Sequence, residues 1–375
     1  MDNLIEKITA LHSQIDTPAL ILDSERMQAN IRRVQQLADN YKKNLRPHIK
    51  THKSVIIARQ QVAMGAVGIT TAKIGEAEVM AEGNIGDIFV ANQITHPRKL
   101  RKLRQLHETI NLSVGLDHLQ QVQLYATHFT DAGHPLNVLI EIDSGLQRCG
   151  VAAGDDLIKL ARAAQAQPGL SLQGIFTHAG QVYAAGSREE ISAIAKQEGL
   201  LMEKAFHLLQ KNHISIKTVS VGATPTLEQV IKNPVVTEVR PGNYVFYDGI
   251  QLALGTCALE NCALFILATV TSQPDSRRII IDAGSKALHL DQGAHATRLL
   301  PGFGTPLNIE ATISRVSEEH GILQLNYPLQ IPLGSPVVIL PNHACSVVNL
   351  YDYYFLLDGE GSFELLNIDA RGRIQ

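Results

Sequence analysis

The sequence predicts an α/β fold: a (β/α)8 barrel of the TIM type with a second, mostly antiparallel β domain. Three observations carry that expectation. From about residue 45 onward, short β-rich runs alternate with helix-period segments. Eight strand-helix units can be counted, the number that closes a parallel barrel. After about residue 255 the helical period disappears, and strand runs follow one another across turns.

Taken in order, the early run TPALILD reads as a strand that joins the later β domain. The barrel strands are LRPHIK, VGITT, GDIFVAN, NLSVG, LNVLIEID, LQGIFTH, IKTVSVG and VVTEVR. Between them lie amphipathic stretches such as SVIIARQQVAMG, IGEAEVMAEGN and LIKLARAAQAQPG, several closed by Gly or Asn in the manner of a helix C-cap. Periodicity does not show closure, so an open doubly wound sheet is the rival architecture. The later runs ALFILATVTSQ, RRIIIDAG, IEATISRVSEEHGILQL and SPVVILP supply the second domain. No internal repeat or low-complexity tract interrupts the chain. The expected division is a barrel over 24–250 and a β domain built from 1–23 and 251–375.

Composition narrows the function. The 375 residues are 45% hydrophobic with a formal charge of −3, enough for a large core and no electrostatic case for nucleic acid or an anionic membrane. The longest apolar runs are strand-sized, so no membrane role is expected. The N-terminal MDNLIEKITALHSQ lacks the apolar stretch of a secretory signal, which gives a cytoplasmic expectation. Cys149, Cys257, Cys262 and Cys345 include no CxxC pair and suggest neither a disulfide framework nor a four-cysteine zinc cage.

Ionisable residues concentrate in LRPHIKTHKS, Leu45 to Ser54, at the expected C-terminal end of the first barrel strand. Barrel active sites are built on that face. A lysine there, partly desolvated and crowded by Arg46, His48 and Lys53, is suited to imine formation. Alternation along a strand would turn Lys50 and His48 inward together. Solvated charges at a helix start are the plainer reading of the decamer alone. Other motifs fall at the same ends of other strands: Asp143 and Arg148 in EIDSGLQRCGV, His178 and Tyr183 in THAGQVY, then SVGATPT and EVRPGNYVFYD. Gly222, Ala223 and Thr224, with Gly242 and Asn243, would offer backbone N–H groups to a phosphate after strands seven and eight.

RPHIKTHKS, EIDSGLQRCGV, SVGATPT, EVRPGNYVFYD, SEEHG and PNHACSVVNLYD occur in that order. Together they resemble the D-serine dehydratase and D-threonine aldolase family of pyridoxal-phosphate enzymes, which have the alanine-racemase-like fold. The similarity runs from about TPALILD to the terminal ARGR. It implies that Lys50 holds pyridoxal 5′-phosphate as an imine and acts in catalysis, with Lys53 only a neighbour. It also implies that Arg148 meets the cofactor's phenolic oxygen and that His178, the second catalytic candidate beside Lys50, lies against its pyridine ring. Gly222, Thr224, Gly242 and Asn243 would then cup the phosphate, with Tyr244 and Tyr183 nearby.

The second chemical signal is His343 and Cys345 in PNHACS, which would share one strand face if the segment is extended. A His-x-Cys pair by itself is more often structural than metal-binding. The resemblance implies that the pair holds a metal, and that cysteine at the second position marks the dehydratase branch where aspartate marks the aldolases. Thiolate favours zinc over manganese or magnesium. Cys149, Cys257 and Cys262 are read as packing residues.

The implied activity is a metal-assisted elimination of water from a D-3-hydroxy amino acid to give a 2-oxo acid and ammonia. D-serine, D-threonine and D-3-hydroxyaspartate are the candidate substrates. Retro-aldol cleavage to glycine and an aldehyde is the alternative, and a racemase or a non-catalytic pyridoxal-phosphate carrier the more distant ones. A homodimer is expected from the same resemblance.

Overall fold

Parallel strands that follow one another in chain order, with no reversal at a switch point, separate a barrel from a doubly wound sheet. The computed structural model describes residues 1–295 and 297–375. The chain begins with α1 (Asp2–Leu11), β1 (Ala19–Asp23) and α2 (Ser24–Asn40). Eight parallel strands come next: β2 (Asn44–Leu45), β3 (Ile69–Thr71), β4 (Asp87–Gln93), β5 (Asn111–Leu116), β6 (Leu136–Glu141), β7 (Leu170–Phe176), β8 (Thr218–Val221) and β9 (Glu238–Val239). The helices between them are α3 (Val55–Ala63), α4 (Ile74–Glu82), α5 (Pro97–His107), α6 (Leu119–Phe129), α7 (Asp155–Gln165), α8 (Arg188–Lys211) and the short α9 (Leu227–Val230).

The strand order is β2-β9-β8-β7-β6-β5-β4-β3. Its two ends meet: Val67 N donates to Leu45 O at 3.0 Å, Thr70 N to Pro47 O at 2.8 Å, and His48 and Thr70 form a parallel bridge. The sheet therefore curls back on itself. Inside it, Phe89 and Phe176 pack edge to face, 5.0 Å between centroids, and Leu139 completes the cluster. Gly115 makes room for this layer, because a Cβ there would lie 2.8 Å from the Phe176 ring. The guanidinium of Arg240 lies over both rings, at 5.3 and 5.6 Å.

The surrounding helices bury one stripe each. On α7 the buried residues are Leu157, Ile158, Leu160, Ala161 and Ala164, while Asp155 and Asp156 in its first turn complement the helix dipole. On α5, Pro97 occupies the first turn, where its missing N–H costs nothing, and Leu100, Leu103 and Leu106 are buried.

The compact unit containing this barrel comprises residues 33–50, 55–242 and 372–375. The other comprises 1–32, 51–54 and 243–371, beside the sequence-based ranges of 24–250 and 1–23 with 251–375. The second unit contains α10 (Gly249–Ala253), β10 (Leu264–Asp275), β11 (Arg278–Ile281), α11 (Ser285–Leu288), β12 (Thr305–Pro306), β13 (Ala311–Val316) and β14 (Gly321–Leu325). It ends with β15 (Pro336–Leu340), α12 (Ala344–Val348), β16 (Tyr353–Leu357) and β17 (Phe363–Asn367). The main path of its sheet is β13-β14-β11-β10-β1-β16-β17. As TPALILD suggested, β1 joins this sheet, antiparallel to β10 and parallel to β16. All five residues of β1 are buried, and the first four form the continuous apolar run of a strand covered on both faces.

Two local expectations are corrected. LRPHIK forms a strand only over Asn44–Leu45, and Lys50 sits on a 3-10 turn, Ile49–Thr51, so it does not alternate with His48 along a strand. Pro47 limits the strand by removing a ladder donor. His343 is extended, but Cys345 lies in the first turn of α12, so the pair does not share a strand face.

Candidate functional site

Lys50 closes the segment that follows β2, with its backbone N–H 3.3 Å from His48 Nδ1. Arg46 does not crowd it. That guanidinium donates to Glu238 Oε2 at 2.8 Å and pairs with Asp87, residues at the starts of β9 and β4, toward the opposite end of the barrel. Lys53 belongs to the other unit, where its ammonium donates to Asn349 Oδ1 at 2.9 Å.

Beyond β7, His178 is fixed by a 2.6 Å hydrogen bond between its Nδ1 and Gly222 O. The carbonyl can only accept, so Nδ1 carries the proton. Burial, then the charges of Lys50, Arg148 and Arg240, hold this imidazole well below its ordinary range, so the ring is neutral at physiological pH. Lys50, Arg148, His178 and Gly222 are thus brought into one neighbourhood.

Arg148 is half-exposed, 3.7 Å from Glu141 Oε1. Its loop is pinned from two sides. Asp143 Oδ1 accepts from Gly145 N and Gln147 N at 2.9 and 3.1 Å, and Asp117 Oδ2 accepts from Gly150 N at 2.9 Å. Gly150 has φ +105°, and a Cβ there would fall 2.5 Å from Asp143 N, so the loop requires glycine. Asp117, Glu141 and Cys149 bring ligand-type atoms within 4.8 Å of one another. Burial and the two carboxylates raise the Cys149 thiol, which is therefore neither a thiolate nor a nucleophile at neutral pH.

Two observations describe the loop expected to hold a phosphate. Thr224 is buried and its Oγ1 has no hydrogen-bond partner among the described residues, which leaves a donor for an anion. Gly222 approaches Arg240 so closely that a Cβ would stand 3.1 Å from its carbonyl oxygen. Glu198, buried on α8, faces Thr226 and the Gly222 backbone without an aligned hydrogen bond, and burial pushes its carboxyl up to about 7. Gly242 ends the long segment of the barrel unit; Asn243 and Tyr244 open the next part of the other, on a buried 3-10 turn. Tyr183 is half-buried on the turn Gly180–Ala184.

Sequence reasoning missed Arg240, although it lies in the quoted EVRPGNY. It donates to Ser220 Oγ at 2.5 Å and Thr177 O at 2.7 Å, and Ser220 in turn donates to Glu238 at 2.5 Å. These contacts hold a buried cation among the ends of β7, β8 and β9; burial lowers its pKa to about 10 despite Glu238, Glu141 and Glu198.

In the β unit, His343 Nδ1 donates to Asp291 Oδ2 at 2.7 Å, and Ser346 Oγ donates to the same oxygen at 2.6 Å. That leaves Nε2 as the nitrogen that would ligate a metal, once the metal displaces its proton. Burial would lower this imidazole, but Asp291, Cys345 and Asp248 raise it to about 10. Burial likewise opposes ionisation of Asp291, yet His289, His343 and Ser346 hold its carboxylate well below the usual range. Cys345 Sγ lies 3.2 Å from Thr51 Oγ1, and Thr51 is the residue after Lys50. An imidazole nitrogen and a sulfur, the first held by a carboxylate, are a donor set that fits a borderline metal with open positions.

Asp248 caps α10, accepting from Gln251 N at 3.0 Å. Its other oxygen accepts from Asn243 Nδ2 at 2.6 Å and from Ala344 N at 2.8 Å. No helix among the described residues is long and apolar enough to cross a membrane.

Comparison with known proteins agrees with this geometry. The family described as alanine racemase, N-terminal domain, matches residues 22–249, and the one described as putative serine dehydratase domain matches 263–357. The chain is 34% identical to a D-threonine aldolase of Arthrobacter sp, over 96% of its own length and 94% of the relative's. It is 35% identical to the D-threo-3-hydroxyaspartate dehydratase of Delftia sp. (strain HT23), over 93% and 96%. The structure of D-threonine aldolase from Filomicrobium marinum superposes with a TM-score of 0.89 at 29% identity, covering 96% of this chain and 97% of that one. The Delftia dehydratase gives 0.88 at 35%, covering 94% and 97%, and a cysteine-to-alanine variant of that enzyme was solved in a metal-free form. The chain belongs to the alanine-racemase-like pyridoxal-phosphate enzymes, in the branch of D-amino-acid lyases that joins a racemase-type barrel to a serine dehydratase domain.

Proposed function

We propose that this enzyme is a zinc-dependent dehydratase of D-3-hydroxy amino acids, releasing a 2-oxo acid and ammonia. The observation that carries the reading is the His343–Cys345 donor pair: it has a sulfur where the resemblance gives the aldolases a carboxylate. Identities of 34% to an aldolase and 35% to a dehydratase do not separate the two activities, so the donor chemistry is what supports elimination.

Lys50 would hold pyridoxal phosphate, and Gly222, Thr224, Gly242 and Asn243 its phosphate, with Tyr244 and Tyr183 nearby. His343 and Cys345 would hold the metal. When bound, the cofactor withdraws electrons from Cα and the metal acts as a Lewis acid toward the β-hydroxyl. The amine of Lys50 takes the α-proton as general base. His178 stays neutral, its proton committed at Nδ1 to Gly222 O, so its role is to pack against the ring and not to exchange protons with it. Arg148 contributes fixed positive charge toward the phenolic oxygen. Loss of the α-proton and of the β-hydroxyl as water leaves an enamine, which hydrolyses to the 2-oxo acid and ammonia.

Retro-aldol cleavage is the second reading, favoured by the identity to the Arthrobacter aldolase. The test is a product assay on D- and L-3-hydroxy amino acids with zinc or manganese, scoring 2-oxo acid and ammonia against glycine and aldehyde. Lys50 is tested separately. Borohydride should fix the cofactor on a peptide containing Lys50, and Lys50→Ala should abolish the visible absorbance of bound cofactor. A label on Lys53 would overturn that assignment.

A further inference from the structure

We propose that Asp248 couples the phosphate end of the cofactor site to the metal pair, so that pyridoxal phosphate and zinc bind cooperatively. The inference rests on the reading above that the chain binds both. Asp248 is fully buried, and its two oxygens serve different purposes. Oδ1 accepts from Gln251 N at 3.0 Å, the one bond that an N-cap requires. Oδ2 accepts two further bonds that capping does not explain, from Asn243 Nδ2 at 2.6 Å and Ala344 N at 2.8 Å. Asn243 belongs to the proposed phosphate cup, and Ala344 stands between His343 and Cys345. All these residues lie in the same compact unit.

A buried carboxylate that loses a donor is left with uncompensated charge, so its two donors are not energetically independent. Phosphate that orders Asn243 fixes the amide on Asp248 and holds Oδ2 where Ala344 N reaches it. That bond sets the first turn of α12, which carries Cys345 beside His343. The path runs equally from the metal back to Asn243. Each ligand thereby lowers the ordering cost of the other, and linkage makes the two effects equal. Asp248 is a positioning residue in this scheme, acting on each site only through Asn243 or Ala344.

The test is a binding cycle on the full chain. Pyridoxal phosphate is titrated into apoprotein with zinc or with a chelator, read by the absorbance of bound cofactor. Zinc affinity is measured by competition with a chromophoric chelator, with and without pyridoxal phosphate. Zinc should tighten cofactor binding about 5- to 50-fold, and the cofactor should tighten zinc by the same factor. Asp248→Asn, with its oxygen kept for Gln251 N, turns an amide nitrogen against both Asn243 Nδ2 and Ala344 N. Ala344→Pro removes only the Ala344 donor and leaves Asn243 on the carboxylate, at a first helical position that suits proline and after a residue, His343, already extended at φ −136° and ψ 100°. Each variant should still unfold in one cooperative transition, at a somewhat lower temperature, and bind both ligands, with the factor reduced to less than half.

A wild-type factor below fivefold overturns the proposal, as does a factor unchanged in both variants. If the wild type binds only one ligand or neither, the proposed function fails and the coupling falls with it. Independent binding of both contradicts the coupling alone.

Discussion

Asp291 orients His343 and Ser346 with one carboxylate oxygen, which fixes the imidazole before any ion arrives. Removing such a partner typically weakens a metal site 10- to 100-fold. Asp291→Ala should therefore weaken zinc by about that factor in chelator competition, with circular dichroism unchanged; undiminished affinity would show that the contact does not orient the ligand. Glu198 makes a second prediction. Its folded pKa of about 7 lies above its ordinary 4.5, so the stability it contributes is fully present below pH 4.5 and lost as pH rises to 7. At 1.36 kcal/mol per unit, the wild type should lose about 3 kcal/mol over that window relative to Glu198→Gln in urea unfolding. A pH-independent difference would contradict it. The grouping of Lys50, Arg148 and His178 was legible because motifs at strand ends announce themselves locally. Asp291 was not, since it meets its histidine 52 positions away with no spacing rule to mark it.

Among the elements, the barrel strands and most of the later strands follow from periodicity, because β-rich buried runs and amphipathic helices are local patterns. What periodicity missed is instructive. The hairpin β16–β17 was signalled by DGEGS, where Asp358 Oδ1 accepts from Glu360 N and Ser362 N at 2.9 and 2.8 Å. α12 is a single short turn whose start depends on Asp248, almost a hundred residues earlier, so ACSVV alone reads as extended. β1 occupies the middle of its sheet, between β10 and β16, with Leu20 fully buried. Leu20→Ala should cost about 2–5 kcal/mol in denaturant unfolding. A cost under 1 kcal/mol would contradict the central placement of this strand.

At the scale of the molecule, the consecutive strand order and the closing bridge between His48 and Thr70 settle the architecture that periodicity left open between barrel and open sheet. A homodimer, expected from the resemblance, is the assembly we propose; sedimentation should show a dimer, and a fully active monomer at nanomolar protein would contradict it. The central claim, that the His343–Cys345 pair makes this enzyme a dehydratase, is tested most directly by its products. With zinc and pyridoxal phosphate, D-serine, D-threonine and D-3-hydroxyaspartate are supplied in turn, and 2-oxo acid with ammonia is measured against glycine with aldehyde. 2-Oxo acid and ammonia are expected in equal amounts from at least one of them and from no L-isomer. Glycine and aldehyde formed far faster than 2-oxo acid from every D-substrate would contradict it.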